Sequence, residues 1–592
     1  MDEATRRSLL FGKEIPEQTG GPARRLSELA DGMAAGLEGL RQLQEAGFEA
    51  PGELEYERGE GDLDYAEAEG DWSIEPTVEA EEQISSRARL RLLLICLGVF
   101  VVALLPRLYF LYVATDPDVM IPSWSNDTWH RWQIAYLTKE IGLRQDPARL
   151  WDLKGLEYFW GVVHPLISSA LFSLTGSVDV MVLRWMTLAA GGLNIVFLYL
   201  LGRKHWGEAV GLGAAALGAL NPIIIFNDPS GMVEPLSFLF LLAGLHFFPR
   251  RSLLAGLLLG LAAMTRAEAW LMSAGLLLAA LFARENWSRK SMLIVGWALP
   301  VGLYMKHLLD VTGNALYPIY WNFLANAAGH WEFREGYTDY QLAARPVLAG
   351  IFALAALASL ALLIRRPRGY LIFLLGSGTT TFITGFIGLT HYLESYEPWF
   401  WLTRFFVFPY LFSGLLIAVL VFDWLPKRAP SMAGRSSGVG LLACVALAWQ
   451  FTWPAVMRDV NPGYTSQTSG RLQQQQARAV SDWYNGGTVL IPEGAPQFTY
   501  ALVRYGGIDA HHLMGQMYGP DYYYQGGDPL ENWDEVGPLM WDWFQRNDVR
   551  MLVMDVYDQR FLRMIQDSPG RFTRVDSVPG RAMDVYWVDP GD

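Results

Sequence analysis

Thiols are almost absent from this chain of 592 residues: its two cysteines, Cys96 and Cys444, both lie inside apolar runs. No disulfide framework organises the fold. The nine histidines show no metal-type spacing; His511 and His512 are adjacent, so on a strand or a helix they would diverge. No Walker loop or dinucleotide fingerprint occurs, so nothing marks a nucleotide site, and residues 458–592 carry no nucleophile elbow. A basic stripe and a recognition-helix pattern are missing too, which argues against nucleic acid as a partner. Residues 1–86 are polar, so no cleavable signal peptide is expected there. The first apolar run is therefore expected to act as the insertion signal.

What the chain has in abundance is apolar and aromatic side chains, with hydrophobic residues at 52% and 23 tryptophans, 26 tyrosines and 30 phenylalanines. Runs near membrane-spanning length recur from Leu90 to Val456 and predict a polytopic α-helical membrane protein. The expected spans are Leu90–Val113, Val180–Leu201, Val210–Phe226, Val233–Phe248, Leu253–Met264, Ala267–Phe282, Met292–Leu309, Pro346–Ile364, Tyr370–Leu389, Phe400–Phe422 and Gly438–Val456, about eleven in all. The fifth and sixth are short, as is tolerated where a helix lines a protein cavity instead of lipid. Alternate connections carry Arg203/Lys204, Arg250/Arg251, Arg284/Arg289/Lys290, Arg365/Arg366/Arg368 and Lys427/Arg428/Arg435, while the connections between them are poor in bases. Arg87, Arg89 and Arg91 precede the first span. The positive-inside rule then expects a cytoplasmic N-terminus, an extracytoplasmic C-terminus and residence in the plasma or inner membrane.

Three domains follow. Residues 1–86 hold 22 acids and 7 bases, a net charge of −15 that leaves 38 acids against 39 bases for the rest. This acidic tail is too charged to bury a core and is expected to be largely disordered in the cytoplasm, apart from a short amphipathic stretch within residues 24–47. Residues 87–457 form the membrane domain, with a long first external loop over 114–160. Residues 458–592 are polar. GTVLIP (487–492), VRMLVMDV (549–556) and MDVYWVD (583–589) read as strands there, and ARAVSDWYN (477–485) and LMWDWFQRN (539–547) as helices. Interleaved in this way they predict a small extracytoplasmic α/β domain.

The first external loop contains IPSWSNDTWHRWQIAYLTKEIGL (121–143), in which Asp127 stands among Trp124, Trp129, His130 and Trp132. From Trp129 onward the apolar residues take helical spacing, predicting an amphipathic helix at the interface. Asp127 also fits a plain helix cap. Ionisable groups close to membrane spans are expensive to hold and are functional candidates for that reason. Those on the external side are Asp127, His164, Asp228 and Glu234 in FNDPSGMVEPLSF, Arg266 and Glu268 in MTRAEAW, His391, Glu394 and Glu397 in THYLESYEP, and Arg404 in WLTRFFVFPY. Taken singly, each has an ordinary alternative. Asp228 with Pro229 and Gly231 suits a turn, Glu234 a cap, Arg404 snorkelling to lipid, and the Arg266/Glu268 pair a turn marker. Turn-making alone does not explain why several external loops all carry acids or arginines. Carboxylates can orient or deprotonate a hydroxyl or amide nucleophile, and arginines can hold a phosphate and the charge that grows on it as it leaves.

In the order SNDTWHRWQIAYL, VVHPLISSAL, NDPSGMVEPLSFLFLLAGL, GLAAMTRAEAWLM and RFFVFPYLFSG, the chain resembles the GT-C superfamily of integral-membrane glycosyltransferases over roughly Leu90 to Phe422. It is similar to protein O-mannosyltransferases and aminoarabinose transferases, and more distantly to oligosaccharyltransferases. The resemblance implies inverting transfer of a sugar from a polyprenyl-phosphate donor to a lipid, glycan or protein acceptor at the extracytoplasmic face. It implies Asp127 as catalytic acid or base and Arg266 and Arg404 as ligands of the donor phosphate. Asp228 or Glu234 would form a second acidic site, with His130, His164, Glu268, Glu394 and Glu397 as supporting polar groups. The paired first-loop acid of the O-mannosyltransferases is missing, since Asn126 precedes Asp127. The WWD-type acceptor motif of the oligosaccharyltransferases is absent as well, with only NWDEVG (532–537) and YWVD (586–589) as partial echoes. The favoured reading is thus a single-sugar, metal-independent enzyme. A metal-dependent oligosaccharyltransferase, with Mg or Mn between Asp127 and Asp228, stays open. A transporter or flippase of lipid-linked saccharides is a further alternative, although no internal repeat is visible; a scaffold that binds partners is another.

Overall fold

The structure is a computed structural model. It describes residues 86–114, 127–141, 161–283, 285–320, 339–393, 407–428, 473–492, 496–516, 519–521, 524–554, 558–575 and 583–591. Arg404, Glu394, Glu397, the run Gly438–Val456, the tail before Ser86 and most of the first external loop lie outside these residues. By backbone contacts residues 15–98 form one unit, of which only 86–98 are described, as helix; the remaining chain from Val99 onward forms the other.

The membrane domain is built from α1 (Ser86–Tyr109), α2 (Asp127–Glu140), α3 (Val163–Thr175), α4 (Val180–Trp206), α5 (Glu208–Ala219), α6 (Pro222–Asn227), α7 (Glu234–Phe247), α8 (Ser252–Ala263), α9 (Ala267–Leu281), α10 (Trp287–Thr312), α11 (Asp339–Arg365), α12 (Tyr370–Leu393) and α13 (Val407–Val419), the last continuing to Arg428. Among the described residues, six helices are long and apolar enough to cross a membrane, or seven if the bent pair α5–α6 is one span. The chain is therefore a polytopic helical membrane protein. The expected third span is broken at Asn221–Pro222 and bent by 60°. Asn221 accepts hydrogen bonds from the amides of Ile223 and Ile224, and Pro222 at the first position starts a new helix instead of continuing the old one. The segments expected as the fourth, fifth and sixth spans form α7, α8 and α9, of 14, 12 and 15 residues. At ~1.5 Å per residue these cover about 18–23 Å, short of the ~30 Å of hydrocarbon.

Local chemistry sets the helix ends. Asp179 caps α4, accepting from the Met181 amide, and Arg203, Lys204 and His205 close it. Helices α8 and α10 cross at their glycines: a Cβ on Gly256 would sit 2.1 Å from the Leu293 carbonyl oxygen, and one on Gly296 2.3 Å from that of Leu253. Small residues at this crossing let the two backbones touch, the usual way of packing helices in lipid.

The basic connections gather at one face. Lys204 Nζ donates to the carbonyls of His246 (3.2 Å) and Phe248 (2.8 Å), Arg366 donates to that of Phe282 at 3.0 Å, and Trp206 packs on Phe373 with ring centroids 5.1 Å apart. Asp228, Glu234 and Arg266 occupy the far ends of α6, α7 and α8 from these bases.

The C-terminal region is a five-stranded mixed sheet in the order β2-β1-β3-β5-β4, from β1 (Thr488–Ile491), β2 (Leu513–Gly515), β3 (Val549–Met554), β4 (Phe572–Arg574) and β5 (Asp584–Val588). β2, β1 and β3 are parallel, while β5 runs antiparallel to β3 and β4. The described helices beside it span residues 473–483 (α14), Pro496–Arg504 (α15), Trp533–Arg546 (α16) and Gln559–Asp567 (α17). β1, β3 and β5 lie where alternation and β-branched content place strands. The three-residue strands β2 and β4 are too short to carry a period.

Candidate functional site

Helix α2 begins at Asp127 and carries the first-loop acid. Its sequence predicts one buried face and one wet face. The structure instead buries every residue from Thr128 to Leu137. Ile134 packs with Val162, Trp270 and Tyr304 of the membrane domain, whereas Trp129, Trp132, Ala135 and Tyr136 join a core that includes Val489, Tyr500, Leu502, Leu513 and Val553 of the C-terminal region. The helix is a strut between two bodies, each taking one side, and the expected interfacial helix is corrected accordingly.

Asp127 is half-buried. One residue on, Thr128 Oγ1 donates to the Ser230 carbonyl at 3.1 Å, which brings the head of α2 onto the turn Asp228–Gly231. Gly231 closes that turn with φ of 80°, and a Cβ there would meet Thr128 Cγ2 at 2.9 Å. Both the left-handed backbone and the close approach call for glycine. Three residues further, Glu234 opens α7 and pairs with Arg266. Arg266 also grips Glu268 in bidentate fashion, Nε to Oε2 at 3.0 Å and an amino nitrogen to Oε1 at 2.7 Å. Arg266 thus stands between two carboxylates, and the three groups together carry a net charge of −1 if both acids are ionised.

Asp228 lies on the same turn, facing the other way. Its Oδ2 accepts from Arg107 Nε at 2.7 Å, with the two side chains 2% and 0% exposed. Arg107 donates in addition to the carbonyls of Ala103 (2.6 Å) and Ala219 (3.2 Å). This pairing bears on metal use. A divalent ion at Asp228 would sit about 4 Å from a guanidinium, a repulsion of about 8 kcal/mol even at an effective dielectric of ~20. Asp228 therefore fits a metal ion poorly, and among the described residues no group of three His, Cys, Asp or Glu side chains could hold one.

His130 is buried one turn into α2. Burial pushes its pKa down to about 4, with Asp127 pulling it up and Arg131 pushing it further down. His164, fully buried at the start of α3, lies within electrostatic reach of Arg131 and Glu234. Gly161 and Val162 bring this segment against Met264 and Thr265, next to Arg266, with the Val162 amide donating to the Met264 carbonyl at 2.9 Å.

Of the residues expected at the site, Glu234, Arg266 and Glu268 are in direct contact. Asp127 reaches the same turn through Thr128, and His130 and His164 flank it. Asp228 belongs to the Arg107 pair. Three arginines escaped the reading of the sequence: Arg107, Arg131 and Arg184, all buried. Arg107 follows Pro106 at the end of a long apolar run and reads there as a flank. Arg131 lies inside a tryptophan-rich segment, and Arg184, whose guanidinium stands 5.8 Å from the Trp129 ring centroid, is the fifth residue of a span. An arginine within two turns of either end of an apolar helix is the signal that could have found two of them.

No family model matches the chain, and no curated protein matches it. Among solved structures it is similar to the oligosaccharyltransferase of Archaeoglobus fulgidus in the apo form, at 15% identity and a TM-score of 0.45 over 78% of this chain and 69% of that one. A complex of the Archaeoglobus fulgidus oligosaccharyltransferase AglB with an inhibitory peptide and a dolichol-phosphate gives 13% and 0.47, over 81% and 72%. ArnT from Cupriavidus metallidurans bound to undecaprenyl phosphate gives 16% and 0.45, over 85% and 98%. At these identities and TM-scores the likeness carries no site and no activity across.

Proposed function

We propose that the chain is an inverting membrane glycosyltransferase that moves a sugar from a polyprenyl-phosphate donor to an acceptor at the extracytoplasmic face. The observation that carries this reading is the joining of a half-buried acid on the first-loop helix to the buried Glu234–Arg266–Glu268 group by a single turn, through Thr128 and Ser230. In the proposed step the acceptor hydroxyl or amide attacks the anomeric carbon from the side opposite the phosphate. Asp127 takes the acceptor's proton, the bond from carbon to phosphate oxygen breaks, and polyprenyl phosphate leaves with the electron pair. Arg266 and Arg404 would neutralise the charge gained by that phosphate. For Arg266 this requires a phosphate oxygen to replace one of its carboxylate partners. Gathering of the basic loops at the opposite face supports an external site, a cytoplasmic N-terminus and an external C-terminus. The Arg107–Asp228 pair favours a mechanism without metal over the metal-dependent oligosaccharyltransferase alternative.

Asp127→Asn tests the reading. The full chain in nanodiscs is supplied with a panel of undecaprenyl-phosphate monosaccharides and assayed for released undecaprenyl phosphate. Transfer should fall by about 10²–10⁴-fold, the worth of a general base, with folding intact. Full activity in the variant ends the proposal.

The 60° break in the third span favours a second reading, a flippase for lipid-linked saccharides, because discontinuous helices line substrate paths in transporters. Movement of the intact lipid across vesicles, with no sugar transferred, would decide for it.

A further inference from the structure

The acid of the first loop is fixed from two directions. Thr128 ties the head of α2 to the membrane domain through Ser230. Trp129, the next residue, is held by the C-terminal region, with the Tyr500 ring centroid 5.1 Å from its own. Tyr500 also meets Trp132 edge-on at 4.8 Å; Trp132 stacks on Tyr136 at 5.0 Å and donates from its indole to the Val178 carbonyl at 2.7 Å. One turn further along, the Ala510 amide donates to the Tyr136 hydroxyl at 3.3 Å. Beside this column Arg504, four residues after Tyr500, pairs with Asp179 at the cap of α4, at 3.2 Å. Tyr500 is 1% exposed and lies in the core that Trp129 and Trp132 share with β1 and β3.

We infer that Tyr500 is a positioning residue for Asp127, and that the C-terminal region works as the outer half of the first-loop helix's socket. Two features of the geometry favour this over mere packing. Both tryptophans it touches lie within five residues of Asp127 on the same helix, so a shift of the Tyr500 ring moves the head of that helix as a rigid piece. The membrane side also contributes Thr128 with its single hydrogen bond to Ser230 and Ile134 on the opposite face. The ring contacts of Tyr500 are with Trp129, Trp132 and Tyr505, so its removal should disturb the head of the first-loop helix first. The enzymatic meaning of this inference rests on the glycosyltransferase reading; the mechanical part does not.

The test compares the full chain in nanodiscs with its Tyr500→Phe, Tyr500→Ala and Tyr136→Phe variants. Hydrogen exchange is followed over residues 127–140 and, as a control, over α8 and α10. The carbodiimide labelling of Asp127 is measured against pH by mass spectrometry. Tyr500→Ala should raise exchange over 127–140 at least tenfold, leave α8 and α10 unchanged and displace the Asp127 labelling profile along the pH axis. Tyr500→Phe keeps the ring packed and gives up only the hydroxyl's hydrogen bond with the Val180 backbone, so both readouts should stay close to the wild-type values. Tyr136→Phe loses only the acceptor for Ala510 and should raise exchange two- to fivefold, which keeps the test open if Tyr500→Ala fails to fold. Unchanged exchange and labelling in Tyr500→Ala overturn the inference, as does a phenylalanine variant no better than alanine. An active Asp127→Asn enzyme would instead defeat the proposed function and leave these exchange results standing.

Discussion

Removing Arg107 should expose how much of the membrane domain depends on one ion pair. Its guanidinium is fully buried and satisfies the Asp228 carboxylate and two carbonyls, of Ala103 and Ala219. Arg107→Leu keeps an apolar stem and leaves the carboxylate without its cation. The loss expected for breaking one side of a buried pair is about 3–5 kcal/mol. Much of that is the cost of the orphaned charge, not the worth of the pair, so Arg107→Leu combined with Asp228→Leu should recover most of it and lie within about 2 kcal/mol of the parent. The coupling between the two positions would then be several kcal/mol, well above the ~0.3–0.5 kcal/mol scatter of independent sites. Detergent-titrated unfolding in mixed micelles, followed by tryptophan fluorescence, gives the four corners of this double-mutant cycle. A single variant that loses under about 1 kcal/mol, or a double variant as weak as the sum of its singles, would refute the reasoning. The same titration with added Mg or Mn should leave the parent unmoved, because Asp228 is occupied by a guanidinium.

Arg266→Lys should destabilise the fold by about 2–3 kcal/mol, because one ammonium cannot reproduce the bidentate grip on Glu268 and still hold Glu234, so a buried oxygen loses its donor. The same unfolding titration measures it, and a neutral result would mean that the carboxylates are paired elsewhere. Acid should loosen the strut. His130 has its pKa pushed down to about 4 in the fold, against ~6.5 when unfolded. Above pH ~6.5 both states are neutral there and the group adds nothing; between ~6.5 and ~4 only the unfolded chain takes up the proton, so stability falls with pH by on the order of 3 kcal/mol in total. His130→Phe should flatten that window in a pH series of unfolding midpoints; an unchanged slope would show that other groups produce it.

The pattern of charge and apolar length in the sequence already determined a great deal here. Hydrocarbon demands long apolar helices, and bases stay on one side, so the long helices α1, α4, α10, α11, α12 and α13 and the common face of Lys204, Arg250 and Arg366 follow from composition along the chain. The expense of burying an ionisable group likewise singled out Glu234, Arg266 and Glu268 before their contacts were known, and β1, β3 and β5 declared themselves through β-branched runs. Tertiary structure alone decided which charge meets which. Arg107 and Asp228 are 121 positions apart, as are few partners that periodicity could suggest, and their union rests on a turn in one helix pair meeting the end of another. It also decided that Asp127 rides on a helix buried from both sides. Hydrophobic pattern reports that a face will be covered; it does not say by what, and here the cover for Trp129 and Trp132 is Tyr500, supplied by strands and helices more than three hundred residues later.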